Sequence, residues 1–200
     1  MWRLSRLIQR ALGAYLPPRG GQREFYLTFD DGPSPNTAVL IDLLGAWDGC
    51  ASFFWTWSRY KENITTPVVP LLWKNGHNVG IHGMTHLSGW RVKRTAREIT
   101  RAIALWKKVG VPLIPAFRAP YGHWGFSPLP EKIKLVFWDL MPPDYLRHKK
   151  WLHQLLAQLR SGDIVVLHEH AHNKPFWYDF FKSVVADGWQ MKALPLEVQA

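Results

Sequence analysis

Cysteine is nearly absent from this 200-residue chain, with Cys50 the only one. No intrachain disulfide and no cysteine-rich zinc site can form. Beside Ala51, Phe53 and Phe54, the lone thiol reads as a small buried filler. Acidic residues are scarce as well, 15 against 25 lysines and arginines, for a net charge of +10. Such a surface favours anionic partners: nucleic acid, acidic lipid headgroups or anionic cell-wall polymers. No nucleic-acid recognition motif accompanies the charge, so no nucleic-acid partner is expected. Tandem repeats, linkers and low-complexity tracts are missing, and the length fits one domain.

Long apolar runs are also missing. Residues Met1 to Leu12 carry Leu4, Leu7, Ile8 and Leu12, but Arg3, Arg6 and Arg10 interrupt them. That pattern excludes a standard signal-peptide core and is too short and charged to span a bilayer. As a helix it would turn the aliphatic residues to one face and the arginines to another. The helix could rest on an anionic membrane surface or pack on the domain. Residues 1–22 are therefore set apart as a basic amphipathic segment, and 23–200 as the domain proper. The expected location is cytoplasmic or peripheral to a membrane.

What remains is 47% hydrophobic and only 20% charged, enough for a large core. Strand-like and helix-like stretches alternate. Strands are expected at Glu24–Phe29, Ala51–Trp55, Asn78–Ile81, Ala116–Arg118, Leu135–Trp138, Asp163–Leu167 and Gln190–Ala193. Helices are expected at Asn36–Trp47, Thr66–Trp73, Arg91–Val109, Lys150–Arg160 and Pro175–Ala186. The strands are mostly apolar on both faces, as covered parallel strands are. The fold class is α/β, a distorted or incomplete (β/α) barrel of about seven parallel strands.

In such barrels the chemistry gathers at the carboxyl ends of the strands. The first strand ends at Asp30-Asp31, before Gly32-Pro33. Two adjacent carboxylates repel one another, so a metal ion or an arginine must compensate them, unless they serve only an Asx-type turn. Later ends bring His82 and His86, then Arg118-Ala119-Pro120-Tyr121-Gly122, then Trp138-Asp139 with Asp144 beyond, and finally His168. One Asp and two His leave a metal position open for water. Zinc suits that set, and manganese, cobalt or nickel can also take it.

The ordered motifs resemble the polysaccharide deacetylases, the NodB-homology or family 4 carbohydrate esterases. Thr28-Phe29-Asp30-Asp31-Gly32-Pro33 matches the first motif and His82-Gly83-Met84-Thr85-His86 the second. Arg118 to Gly122 matches the third, Asp144-Tyr145 the fourth, and Val166-Leu167-His168 the fifth. The resemblance spans about residues 23 to 195 and implies a NodB-like barrel. It implies that Asp31, His82 and His86 hold a divalent metal, with Asp30 the general base and Arg118 its orienting cation. By the same resemblance the Tyr121 N–H stabilises an oxyanion, and His168 is the general acid tuned by Asp144. Tyr145 and Val166 would border a slot for the acetyl methyl, with Pro120 also on the substrate side. The implied activity is removal of acetyl groups from N-acetylated sugars of a polysaccharide or glycoconjugate. An O-acetyl esterase and a catalytically silent glycan binder remain alternatives. Gly83, Tyr145, Val166, Glu169 and Trp55-Thr56-Trp57 depart from the usual pattern without removing a catalytic group.

Overall fold

The computed structural model describes residues 2–63, 68–87, 95–124, 128–144, 150–169 and 174–198. Its central strand is β2 (Glu24–Gly32), where side chains alternate between two apolar surroundings. Phe25, Leu27 and Phe29 face the helices, and Phe29 stacks on Phe53 and meets Trp177 edge-on. Tyr26 faces the barrel interior with Phe54, Ile114, Ala116, Val136, Ile164 and Leu194. Strand β3 (Ser52–Trp55) flanks β2 on one side and β8 (Ile164–His168) on the other, both parallel to it. Beyond β3 come β4 (Asn78–Ile81), β5 (Ala116–Phe117) and β6 (Lys134–Leu135); beyond β8 come β7 (Leu140–Met141) and β1 (Trp2–Arg3). The start of β2 also pairs with β9 (Gln190–Lys192). The sheet thus curls into an incomplete barrel with nine strands among the described residues. Its β1–β7 pair is antiparallel, so the sheet is mixed where all-parallel strands were expected.

Helices cover the outer face by their apolar stripes. In α2 (Thr37–Ala46) the buried positions include Leu40, Ile41 and Leu44, and Ser34 with Thr37 ties down its first turn. Helix α5 (Thr95–Lys108) buries Ile99, Ala102 and Trp106 and ends on Lys107 and Lys108, which suit its C-terminal dipole. Helix α7 (Lys174–Ala186) buries Trp177, Phe180, Phe181 and Val184. Shorter helices are α1 (Arg6–Ala11), α3 (Trp57–Asn63), α4 (Val68–Lys74) and α6 (Lys150–Gln158). The outer ends of the helices expected from Thr66 and Arg91 lie outside the described residues. Cys50 is half-buried at a turn, not a core filler.

The strand expected at Leu135–Trp138 is replaced by two short ones, because residues 134–141 change partner midway. Val136 N–H donates to Phe117 O, whereas Asp139 N–H donates to Ile164 O. Between the two ladders the backbone turns to side chains for its hydrogen bonds. Arg118 Nη2 donates to Phe137 O at 2.9 Å, and Gln9 Nε2 donates to Trp138 O at 3.0 Å. This pays the cost of orphaned buried carbonyls, about 1–3 kcal/mol each.

Gln9 is one of several residues among 2–22 that bond to the rest of the barrel. Leu4 N–H donates to Asp139 O and Tyr15 N–H to Leu135 O, closing the same stretch. Arg6 grips the buried Asp139 with two bonds, 2.9 and 3.0 Å, and Arg3 and Arg19 hold the buried Asp163. The expected division of faces is therefore reversed in part. Arg3 and Arg6 turn inward to carboxylates, while Leu7 and Ile8 are exposed. No helix among the described residues is long and apolar enough to cross a membrane.

Removing one partner of a buried ion pair strands the other charge. Arg6→Ala is expected to lower the unfolding free energy by about 2–4 kcal/mol, read from urea denaturation. An exposed control, Arg10→Ala, should change it by less than about 0.5 kcal/mol.

Candidate active site

Strand β2 ends in a bulge that separates its two carboxylates. The β2–β3 register shifts between Phe29 and Gly32, and Asp31 takes a φ of 69°. Asp30 keeps the inward direction of Tyr26 and Thr28, and Asp31 is turned away from it. Gly32 is required next: a Cβ there would lie 1.8 Å from Glu169 Oε1. Glu169 itself is caged. It accepts from Trp55 Nε1 and Ser34 Oγ, each at 3.0 Å, and from Thr37 Oγ1. Burial pushes its carboxyl up to about 7, with Thr37, Ser34 and Trp55 opposing.

Asp30 is partnered by Arg118. The guanidinium is fully buried, and its Nη1 reaches Asp30 Oδ1 and Thr28 Oγ1, both at 2.7 Å. Its carbon sits 4.2 Å from the centroid of the Phe54 ring. Burial alone would lower the guanidinium pKa, and Asp30 opposes that. The same residue orients a second site member, because its carbonyl lies 2.8 Å from His82 Nδ1. A carbonyl only accepts, so Nδ1 carries a proton and Nε2 is left as the donor atom for a metal.

Asp31 faces the histidines. Its Oδ1 lies 3.3 Å from His82 Nε2 and 2.9 Å from His86 Nε2, and the ligand atoms of all three fall within 4.8 Å of one another. Burial would raise the Asp31 pKa, but the two histidines outweigh it and hold the carboxyl well below the usual range. One oxygen and two imidazole nitrogens converging in this way match a three-ligand divalent metal site with an open position.

His168 ends β8 on the other side of Asp30. Its Nδ1 bonds Asp144 Oδ1 at 2.8 Å and its backbone N–H donates to Asp144 Oδ2 at 2.7 Å. One carboxylate thus fixes both the ring and the strand end. Burial lowers the imidazole pKa, but Asp144, with Asp30 and Asp31 more distant, overrides it and raises the ring to about 9.

These groups share a cavity of about 370 Å³. Asp30, Asp31, His82, His86, Tyr121 and His168 line it, joined by Gly122, Trp138 and Met141. Tyr121 is 60% exposed at its mouth, with a φ of 59°, and its ring packs 4.4 Å from that of His86. Gly122 also has positive φ, and a Cβ there would come within 2.5 Å of the Trp138 ring. Arg118 and Asp144 stand directly behind the lining. Pro120 and Val166 are buried and do not line this cavity. Tyr145 lies outside the described residues.

Sequence reasoning did not assign Trp138, Met141 or Glu169 to the site. Trp138 and Met141 reach it only because residues 134–141 change partner, which no periodicity signals. Glu169 was visible only as a departure from the motif.

Comparison with known proteins gives the family of the chain. Residues 18–131 match the family described as polysaccharide deacetylase. A chitooligosaccharide deacetylase from Bradyrhizobium sp. (strain ANU 289) is 33% identical over 159 residues, covering 74% of this chain and 72% of that protein. A peptidoglycan-N-acetylglucosamine deacetylase from Bacillus cereus is 30% identical over 160 residues, covering 74% and 73%. The solved structure of peptidoglycan deacetylase PdaC from Bacillus subtilis superposes with a TM-score of 0.74 at 25% identity, covering 87% of this chain and 89% of that one. Motif order, barrel and family match converge, and the chain belongs to the polysaccharide deacetylases of carbohydrate esterase family 4.

Proposed function

We propose that this protein is a metal-dependent deacetylase that hydrolyses the acetamido group of N-acetylated sugars in a polysaccharide or oligosaccharide. Relatives named for chitooligosaccharide and for peptidoglycan support that substrate class. The observation that carries the reading is the three-ligand cluster of Asp31, His82 and His86 with Asp30 and His168 lining the same cavity. The donor set fits a divalent cation, zinc before manganese, cobalt or nickel. Bound there, such a cation supplies Lewis acidity toward a carbonyl and acidifies water.

The residues of this chain supply the proton transfers. Asp30 takes a proton from water as its oxygen bonds to the acetyl carbon, and Arg118, bonded to that carboxylate, keeps it aimed. The Tyr121 N–H, held by its positive φ, donates to the oxygen that gains charge. His168 then gives its proton to the sugar nitrogen as the carbon–nitrogen bond breaks, leaving acetate and a free amine. An amine cannot leave as an anion, so it needs a group nearby that is protonated at the working pH. The raised pKa of His168 keeps it protonated at neutral pH, which favours an amide substrate over an ester. Trp138 and Met141 offer apolar wall to the acetyl methyl.

Three outcomes test this reading. Protein purified without chelator should carry about one divalent metal per chain by elemental analysis. Chelation should abolish acetate release, zinc should restore it, and His82→Ala should bind metal far more weakly than wild type. Asp30→Asn should keep its metal yet lose turnover by about a hundredfold or more, and loss of metal in that variant would refute the assignment of base. For His168, activity should fall as pH rises through the pKa of the acid. Asp144→Asn removes the main charge that raises this pKa, so the high-pH arm should move to lower pH with metal content unchanged. An unmoved arm would leave Asp144 a purely structural role.

A further inference from the structure

A second cavity, of about 480 Å³, opens at the opposite rim of the barrel. Arg3, Arg6, Arg19 and Arg160 line it, with Asp139 behind and Leu7 at its edge. Asp163, which immediately precedes β8, marks that rim, and His168 at the other end of β8 marks the catalytic one. The two are five residues apart along the strand, about 17 Å of chain.

The charges there are layered. Side chains of Asp139 and Asp163 are 1% and 0% exposed, whereas those of Arg3, Arg6 and Arg19 are 25%, 19% and 41% exposed. The carboxylates are satisfied from behind as well, by the N–H groups of Ile164 and Arg160. Solvent therefore meets guanidinium edges, not carboxylates. Four guanidiniums over two buried carboxylates leave a net charge of about +2, and guanidinium groups pair readily with phosphate oxygens.

Helix α1 beside this cavity is inverted relative to an ordinary surface helix. It buries Gln9, because Trp138 O needs a donor, and turns Leu7 and Ile8 outward at 77% and 53% exposure. Trp2, on the adjoining strand, is 64% exposed. A soluble phosphate or an acidic glycan would use the arginines but leave these apolar groups in water. A bilayer surface uses both: anionic headgroups meet the guanidiniums, and Leu7, Ile8 and Trp2 enter the boundary between headgroups and acyl chains.

We infer that this rim docks on a bilayer surface bearing anionic phospholipid, with the arginine-lined cavity receiving headgroup phosphate. The catalytic cavity, at the other rim, then opens away from the membrane toward its glycan.

The test is co-sedimentation of the full chain with phosphatidylcholine vesicles, with and without phosphatidylglycerol. Wild type should bind the anionic vesicles and leave the neutral ones. Leu7→Ser with Ile8→Ser, which leaves the charge unchanged, should weaken that binding about tenfold or more. Arg10→Ser with Arg160→Ser should weaken it more than Arg97→Ser with Lys174→Ser, which removes equal charge near the N-terminal ends of α5 and α7, toward the other rim. Acetate release from a small soluble substrate should be unchanged in all of these variants. Equal binding by the Leu7/Ile8 variant, or equal loss in both charge-removing variants, would reduce the attraction to net charge and overturn the inference. Release of bound protein by inorganic phosphate, but not by sodium chloride of equal ionic strength, together with unaltered binding by the Leu7/Ile8 variant, would assign the cavity to a free anion instead.

Discussion

The Arg118 guanidinium lies where the barrel fails to close and where the two chemical halves of the site meet. It bonds the Phe137 carbonyl in the gap between β6 and β7, and Thr28 and Asp30 on the central strand. Its own carbonyl sets the tautomer of His82. A fully buried cation is costly unless paired and hydrogen-bonded, and here Asp30, Thr28 and the Phe137 carbonyl meet it. Without that charge, Asp30 and Asp31 would be two neighbouring carboxylates in a desolvated strand end. With it, Asp30 is neutralised locally, and the Asp31 bulge is free to face the histidines. Separation of the two carboxylates thus depends on one arginine and one residue of positive φ.

The same incomplete closure explains the first residues of the chain. A segment that changes sheet partner leaves carbonyls with no strand beside them. Gln9 and the backbone at Leu4 and Tyr15 supply the missing donors. Burying Gln9 fixes how α1 rotates, and that rotation turns Leu7 and Ile8 to solvent. Barrel repair on the inside and an apolar, arginine-rich rim on the outside are therefore two consequences of a single helix orientation.

Local chemistry was legible in the sequence, and pairing across long distances was not. The alternation of Phe25, Leu27 and Phe29 placed β2, and Asn78–Ile81 was read with its observed bounds. Charge repulsion between Asp30 and Asp31 pointed to a metal ion or an arginine beside them, with an Asx-type turn as the alternative, and Arg118 is there for Asp30. The break at Val136 to Asp139 was hidden because both halves look like one apolar strand. The inward turn of Arg3 and Arg6 was hidden because their carboxylates lie more than 130 residues away in sequence. An amphipathic pattern assigns faces by polarity. It cannot register a buried aspartate waiting for an arginine, or a carbonyl waiting for a glutamine.

Two buried histidines show why composition cannot assign roles. His77 is 1% exposed, and its Nδ1 accepts the Ala51 N–H, a bond that suits a neutral ring. Burial lowers its pKa to about 4. His168 is also largely removed from solvent, yet Asp144 raises it to about 9. The linkage signs are opposite. His77, charged more readily when unfolded, contributes stability that is present above about 6.5 and is lost as pH falls toward 4. His168 contributes stability that is present below about 6.5 and is lost as pH rises toward 9. A divalent cation on Asp31 would offset that carboxylate's share of the His168 shift and draw the upper limit down. What distinguishes His77 from His168 is therefore neither residue type nor burial. It is whether a backbone N–H or a carboxylate meets Nδ1, and that choice is made by the stretch after β7 that brings Asp144 back to the end of β8.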